Sequence, residues 1–149
     1  INSNTLMKVK CPKGHITHKT MTNFYVGHRC NLCNNHKSEK VIGDILNGLN
    51  IEFEREYRFK ECKDVKPLPF DYYISSLNVC IEYDGEQHFK PIDFTGQGEE
   101  VAIKRFKSQQ KRDEIKTKFC KDNDIKLIRI PYWKFDDAEN IIKQNLNIL

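Results

Sequence analysis

Apolar residues recur at positions 41, 42, 45, 46 and 49 of the stretch SEKVIGDILNGLN, the spacing of one helix face. Ser38 stands where an N-cap belongs and Gly48 where the helix should stop. The period then changes. In IEFEREYRF, Phe53, Tyr57 and Phe59 alternate with Glu54, Glu56 and Arg58, which predicts a strand with the rings on one face. FDYYI and NVCIEY read as two more strands joined by the turn-like SSLN. A loop over 91–100 follows, punctuated by Pro91, Gly96 and Gly98. A basic helix is then predicted from about 101 to 122, anchored by Ile103, Phe106, Ile115 and Phe119. IKLIRI reads as a buried strand stopped by Pro131, and DDAENIIKQNLNIL as a last helix opened by Asp136. Ahead of all this, NTLMKVK and HITHKT read as two small strands around the turn CPKGH. The expected organisation is a small module over 1–37, then α-β-β-β-α-β-α over 38–149, an α/β class with no internal repeat.

Length and composition sharpen this picture little. At 149 residues one compact domain with a small appendage is expected. Charged residues at 31% and apolar residues at 38% suit a soluble globular chain. The apolar runs fall short of the roughly 20 residues a membrane helix needs, and the N-terminus carries no secretory pattern, so no membrane partner is expected. The chain begins at Ile1 rather than Met, as a piece of something longer would.

The distribution of charge says more. Residues 1–40 carry seven Lys/Arg against one acid, and residues 101–149 carry twelve against seven. Between them, residues 71–100 hold seven acids against Lys90 alone. Basic flanks around an acidic centre suit a protein that binds a polyanion and holds a metal ion.

Six cysteines invite a disulfide reading, which their spacing argues against. Cys30 and Cys33 form C-x-x-C, Cys11 lies upstream beside histidines, and Cys62, Cys80 and Cys120 sit among apolar neighbours as buried free thiols do. The expectation is a reducing, intracellular compartment and a structural Zn²⁺ held by Cys11, His15, Cys30 and Cys33. His18, His28 and His36 are alternatives to His15 as fourth ligand. A segment this short and polar gains from a metal the stability its burial lacks. Its cations, Lys13 and Arg29 among them, are expected to touch a nucleic-acid backbone.

The acidic strands raise a different question. Along NVCIEYD, Val79, Ile81 and Tyr83 share one face, and Cys80, Glu82 and Asp84 the other. Pairing through the 75–78 turn brings Asp71 near Glu82 or Asp84. Carboxylates converging on one sheet face repel unless a cation meets them, and Mg²⁺ or Mn²⁺ takes oxygen ligands of this kind. The expected metal ligands are therefore Asp71, Glu82 and Asp84. His88, just past the strand, is a candidate general base, metal ligand or phosphate contact. Glu56 is a further candidate on the polar face of its strand.

The arrangement FDYY…IEYDGEQHF…KRDEIK…LIRIPY resembles the PD-(D/E)XK nuclease superfamily. Within it the likeness is to very-short-patch-repair nucleases and to phage homing endonucleases with an EDxHD signature. It covers roughly residues 38–133. The resemblance implies a restriction-endonuclease-like core with a mixed sheet flanked by helices, and Mg²⁺-dependent hydrolysis of DNA. Carried over by position, the helix glutamate is Glu39, the metal aspartate Asp71, the histidine His88 and the later aspartate Asp113. The chain departs from the superfamily at the E-x-K tripeptide, which reads Glu82-Tyr83-Asp84. Asp84 is then a second metal ligand, and the missing positive charge is expected from Lys116, one turn past Asp113, with His88 the competing choice.

The function expected from the sequence is a Mg²⁺- or Mn²⁺-dependent DNA endonuclease of homing type, from a phage or mobile element. Its basic helix would grip phosphates through Lys104, Arg105, Lys107, Lys111 and Arg112. Two rivals predict different behaviour: a binding module on an inactive nuclease scaffold binds without cutting, and an RNA-directed or structure-specific nuclease prefers other substrates. One site per chain nicks as a monomer, and a double-strand break needs a dimer or two successive nicks.

Overall fold

The computed structural model of the chain describes residues 6–10, 16–20 and 37–149. The chain divides into two compact units, Ile1–Val41 and Ile42–Leu149. In the first, β1 (Leu6–Lys10) and β2 (Ile16–Thr20) pair antiparallel. Cys11, Lys13, His15, Arg29, Cys30 and Cys33 lie outside the described residues, as do the alternative ligands His28 and His36. Helix α1 (Lys37–Gly48) runs across the division.

The second unit is mixed α/β. β3 (Glu54–Lys63), β4 (Pro67–Ile74), β5 (Val79–Asp84) and β6 (Lys126–Pro131) form one sheet in the order β3-β4-β5-β6. The first three are antiparallel, and β6 joins β5 in parallel after the long helix α2 (Glu99–Asp122). A 3-10 turn, Glu86–His88, follows β5. After β6 the chain does not enter a helix at Asp136 as its sequence suggests. It first makes a 3-10 segment, Tyr132–Asp137, which sets Phe135 against Tyr83, and α3 (Ala138–Asn145) begins beyond it.

Each face of the sheet has its own core. Ile42 and Leu46 of α1 and Ala138 and Ile142 of α3 pack with Tyr72, Ile74, Val79, Ile81, Ile128 and Ile130 on one side. On the other, α2 brings Cys120 onto Cys62, Leu68, Phe70 and Cys80, with Ile125 closing the end. β5 alternates as its sequence predicts: Val79 and Ile81 face the first core, Cys80 the second.

β3 and β4 do not keep one alternation throughout. Phe53 packs in the first core, edge-on to Tyr72 at 5.2 Å, whereas Phe59 packs in the second, against Phe70 and Phe119. On β4, Phe70 belongs to the second core and Tyr72 to the first. Both strands change sides at the level of Glu56, which adopts a left-handed φ of 49°, and Asp71. The ladder runs Arg55↔Tyr72 and Tyr57↔Phe70 and skips that level. A residue with positive φ turns the following side chains over, so Phe53 and Phe59 end on opposite faces.

Candidate functional site

The site is built where β5 meets α2. Along the strand, Cys80, Glu82 and Asp84 repeat every second residue, a spacing of about 6.6 Å. Along the helix the inward stripe is Ala102, Phe106, Gln109, Asp113, Lys116 and Cys120, steps of three and four residues or about 4.5–6 Å. The two rulers nearly match, so the pairs stack in layers. Cys80 and Cys120 share a thiol hydrogen bond in the core. One layer up, Lys116 Nζ donates to Glu82 Oε1 and Oε2, both at 2.9 Å. At the strand end stand Asp84, His88 and Asp113.

Glu82 and Lys116 are both buried, at 2% and 7% exposure. Burial pushes the Glu82 carboxyl up to about 7; the Lys116 ammonium pulls it down and neighbouring Asp71 pushes it up. The Lys116 Nζ also lies 5.1 Å from the centre of the Phe70 ring, a cation–π contact. The interrupted ladder explains how Asp71 joins this layer. Its backbone N–H donates to Glu82 Oε1 at 3.3 Å, and its own Oδ2 accepts from the Tyr83 N–H at 2.7 Å. Side-chain carboxylates thus stand in for carbonyls between β4 and β5.

At the strand end, His88 Nδ1 is 2.8 Å from Asp113 Oδ2 and 3.5 Å from Asp84 Oδ1. Gln109 Nε2 donates to Asp113 Oδ1 at 3.1 Å and lies 3.3 Å from His88 Nδ1. Arg129, from β6, donates to Asp84 Oδ1 at 2.8 Å and to the Asp113 carbonyl at 3.2 Å. Burial alone would lower the histidine, but its hydrogen bond to Asp113 and the two carboxylate charges hold it above the ordinary value. Burial pushes Asp84 up despite Arg129, and the bond to His88 overcomes burial to hold Asp113 below the usual range.

Among the described residues, Asp84, His88 and Asp113 form the one group whose ligand atoms all lie within 4.8 Å of one another. Two carboxylates and an imidazole are donors that a divalent cation accepts. Asp71 and Glu82 belong to the neighbouring layer. Glu39 falls in α1, and its side chain is outside the described residues.

The site opens to solvent through a cleft of about 530 Å³ whose wall includes Phe89, Lys118 and Lys121. Phe89 is exposed and stacks edge-on with Trp133 at 4.6 Å. The basic positions Lys104, Arg105, Lys107, Lys111 and Arg112 are all exposed on α2, with Lys111 bonded to Asp64 at 2.7 Å. A second cleft of about 410 Å³, walled by Arg58, Lys66 and Arg112, reaches Lys116 from the side.

Sequence reasoning passed over Arg129 and Gln109, although the signals are there. Arg129 interrupts the apolar IKLIRI, and its register opposite Glu82 puts it on the acidic face. Gln109 occupies an inward helical position between Phe106 and Asp113, and three successive polar residues on such a stripe mark a site.

Protein comparisons give viral relatives. The chain is 40% identical over 65 residues to uncharacterized protein 307L of invertebrate iridescent virus 6, covering 44% of this chain and 31% of that protein. It is 35% identical over 65 residues to uncharacterized protein 033L of invertebrate iridescent virus 3, with the same coverage. It is 34% identical over 81 residues to uncharacterized protein 094L of Frog virus 3, covering 54% of this chain and 50% of the relative. The chain thus spans a third to a half of these curated relatives. No family model matches, and no solved structure does. Among the described residues, no helix is long and apolar enough to cross a membrane.

Proposed function

We propose that this chain is a divalent-metal-dependent DNA endonuclease that hydrolyses phosphodiester bonds, on a PD-(D/E)XK-like core with a zinc module in front. What carries the reading is the stacking of two layers at one end of the β5–α2 interface: a buried Lys116–Glu82 pair beside the Asp84/His88/Asp113 cluster. The two carboxylates suit Mg²⁺ or Mn²⁺, and Asp84 and Asp113 would hold the ion. When bound, such an ion stabilises charge on the phosphate and acidifies a coordinated water.

The chain's own groups do the rest. Asp113 holds His88 by Nδ1, leaving Nε2 to take a proton from the attacking water. Lys116, fixed by Glu82 and reached from the basic cleft, meets the charge of the phosphate in the position of the superfamily's missing lysine. Asp71 steadies Glu82 through the strand gap. Glu39 completes the catalytic set by resemblance. Lys104, Arg105, Lys107, Lys111 and Arg112, with Lys13 and Arg29 of the first module, grip the backbone. Cys11, His15, Cys30 and Cys33 hold a structural zinc in a reducing, intracellular setting. A phage or mobile-element origin rests on the resemblance alone.

One observation favours the rival, a binding module without chemistry: Arg129 already meets Asp84, and Lys116 already meets Glu82, so the buried carboxylates are balanced without a metal ion. Incubation of supercoiled plasmid with Mg²⁺ or Mn²⁺ decides between them. The intact chain should convert plasmid to nicked or linear product, and Asp113→Ala and Asp71→Ala, matched for zinc content and circular dichroism, should not. Salt-sensitive binding without cleavage would establish the rival, and equal cleavage by all three proteins would place the activity outside this site.

A further inference from the structure

A separate pocket of about 490 Å³ lies between the N-terminal half of α2 and the 89–98 loop. Four cations border it, Lys90, Lys104, Arg105 and Arg112, and among the described residues no carboxylate lines it. Ile92 and Phe94 form an apolar wall, with Phe94 61% exposed. The loop is built rather than loose. Asp93 accepts from the backbone N–H groups of Gln97 and Gly98 at 3.1 and 3.0 Å. Arg105 reaches back from α2 to Thr95 Oγ1 at 3.1 Å and Gln97 Oε1 at 3.0 Å. These are neutral acceptors, so the guanidinium charge stays available. Lys90 pairs with Glu86, and among the described residues neither Lys104 nor Arg112 is in an ion pair. Gln109 lines this pocket too, donates to Asp113 and lies 3.3 Å from His88 Nδ1, so the pocket adjoins the cluster.

Resting on the nuclease reading, we infer that this pocket binds a single unpaired nucleotide next to the scissile phosphate, so that the substrate is DNA with a single-stranded tail or gap. Cations without acids select phosphate. An exposed ring on a pinned loop offers a base a face to stack on, which a paired base inside a duplex cannot use. The volume lies in the range of small-ligand sites, too small for a duplex and suited to one nucleotide. A surface meant only for the duplex backbone would need the cations and not the apolar wall.

Fluorescence anisotropy on the full chain tests this, using one labelled blunt duplex and the same duplex with a four-nucleotide unpaired tail. Cleavage of both with Mn²⁺ is followed in parallel. The tailed duplex should bind about fivefold tighter or more, the effect of one stacked base. Phe94→Ala, exposed enough to leave the fold intact, should bring the two within twofold and leave blunt-duplex binding unchanged. Lys104→Gln should weaken both. Equal binding of the two duplexes by the intact chain, with cleavage retained, would overturn the subsite and leave the nuclease reading standing. A preference that survives Phe94→Ala would also overturn it. Absence of both binding and cleavage would overturn the nuclease reading, and this inference with it.

Discussion

Lys116 Nζ stands 2.9 Å from both carboxylate oxygens of Glu82, so helix α2 supplies the ammonium that meets the buried carboxylate of strand β5. Both groups are buried, and such a pair is more sensitive to the loss of one member than of both. Lys116→Met should cost about 3–5 kcal/mol at pH 8, because the buried Glu82 carboxyl loses the ammonium that holds it down and must take up a proton or stay charged without a partner. For a chain of this size that lowers the melting temperature by roughly 10 °C. Adding Glu82→Gln should restore most of the stability while cleavage stays lost. Thermal melts of the single and double variants check this, and a double variant as unstable as Lys116→Met would show that the ion pair is not what Lys116 contributes.

The His88–Asp113 bond should appear as a pH-dependent coupling. In metal-free buffer the folded chain holds His88 above its ordinary value of 6.5 and Asp113 below its ordinary 3.8. A raised histidine stabilises fully below 6.5 and loses that contribution as pH rises through its folded value. A lowered aspartate stabilises above 3.8 and loses it on acidification. A double-mutant cycle with His88→Gln and Asp113→Asn should therefore give its largest coupling near pH 5 and a smaller one at pH 8. Proton NMR of the imidazole should show Asp113→Asn titrating at lower pH than the intact chain. Coupling that is flat from pH 5 to 8 would mean that the histidine is not charged in the pair.

How far the sequence foretold this arrangement follows from what each residue needs to be read. The element order and the β5 alternation were legible because period alone sets them. Lys116 was legible too, lying one turn from Asp113 on a helix. The crossing of β3 and β4 was not: it hinges on a left-handed Glu56, and no residue type announces that where glycine or asparagine would. The Asp84/His88/Asp113 cluster was half legible. Period two grouped Glu82 with Asp84, but their division into separate layers depends on which helix residue each meets. That is a matter of tertiary register between β5 and α2, as is the 3-10 turn that folds His88 back over the strand end.

Zinc content should separate the two kinds of cysteine. Cys62, Cys80 and Cys120 are buried free thiols; burial pushes Cys62 up to about 11, and Cys80 and Cys120 are hydrogen-bonded to each other in the core. The intact chain should carry one zinc, lost in Cys30→Ser or Cys33→Ser and kept in Cys62→Ala, by elemental analysis of dialysed protein. Retention of zinc in both Cys30→Ser and Cys33→Ser would remove the ligand set read from the C-x-x-C spacing.

Glu82 itself should invert the usual dependence of stability on pH. Its carboxyl has an ordinary value of 4.5 and is pushed up to about 7 in the fold, chiefly by burial. Between those values the folded chain binds a proton that the unfolded chain has released. Stability then falls as pH rises, since it rises only where the unfolded state binds more protons. The loss begins near pH 4.5, is complete somewhat above 7, and amounts to about 3 kcal/mol at 1.36 kcal/mol per pH unit. Glu82→Gln removes this titration and leaves the others, so the variant should gain on the intact chain as pH climbs from 5 to 8. Urea midpoints at half-unit steps, with no metal added, measure the difference. A constant gap between the two curves would place the folded Glu82 at its ordinary value, ionised throughout and fully compensated by Lys116. The predicted convergence at low pH would show that the pair is a strained one, its carboxylate charged above about pH 7 only against the cost of its burial.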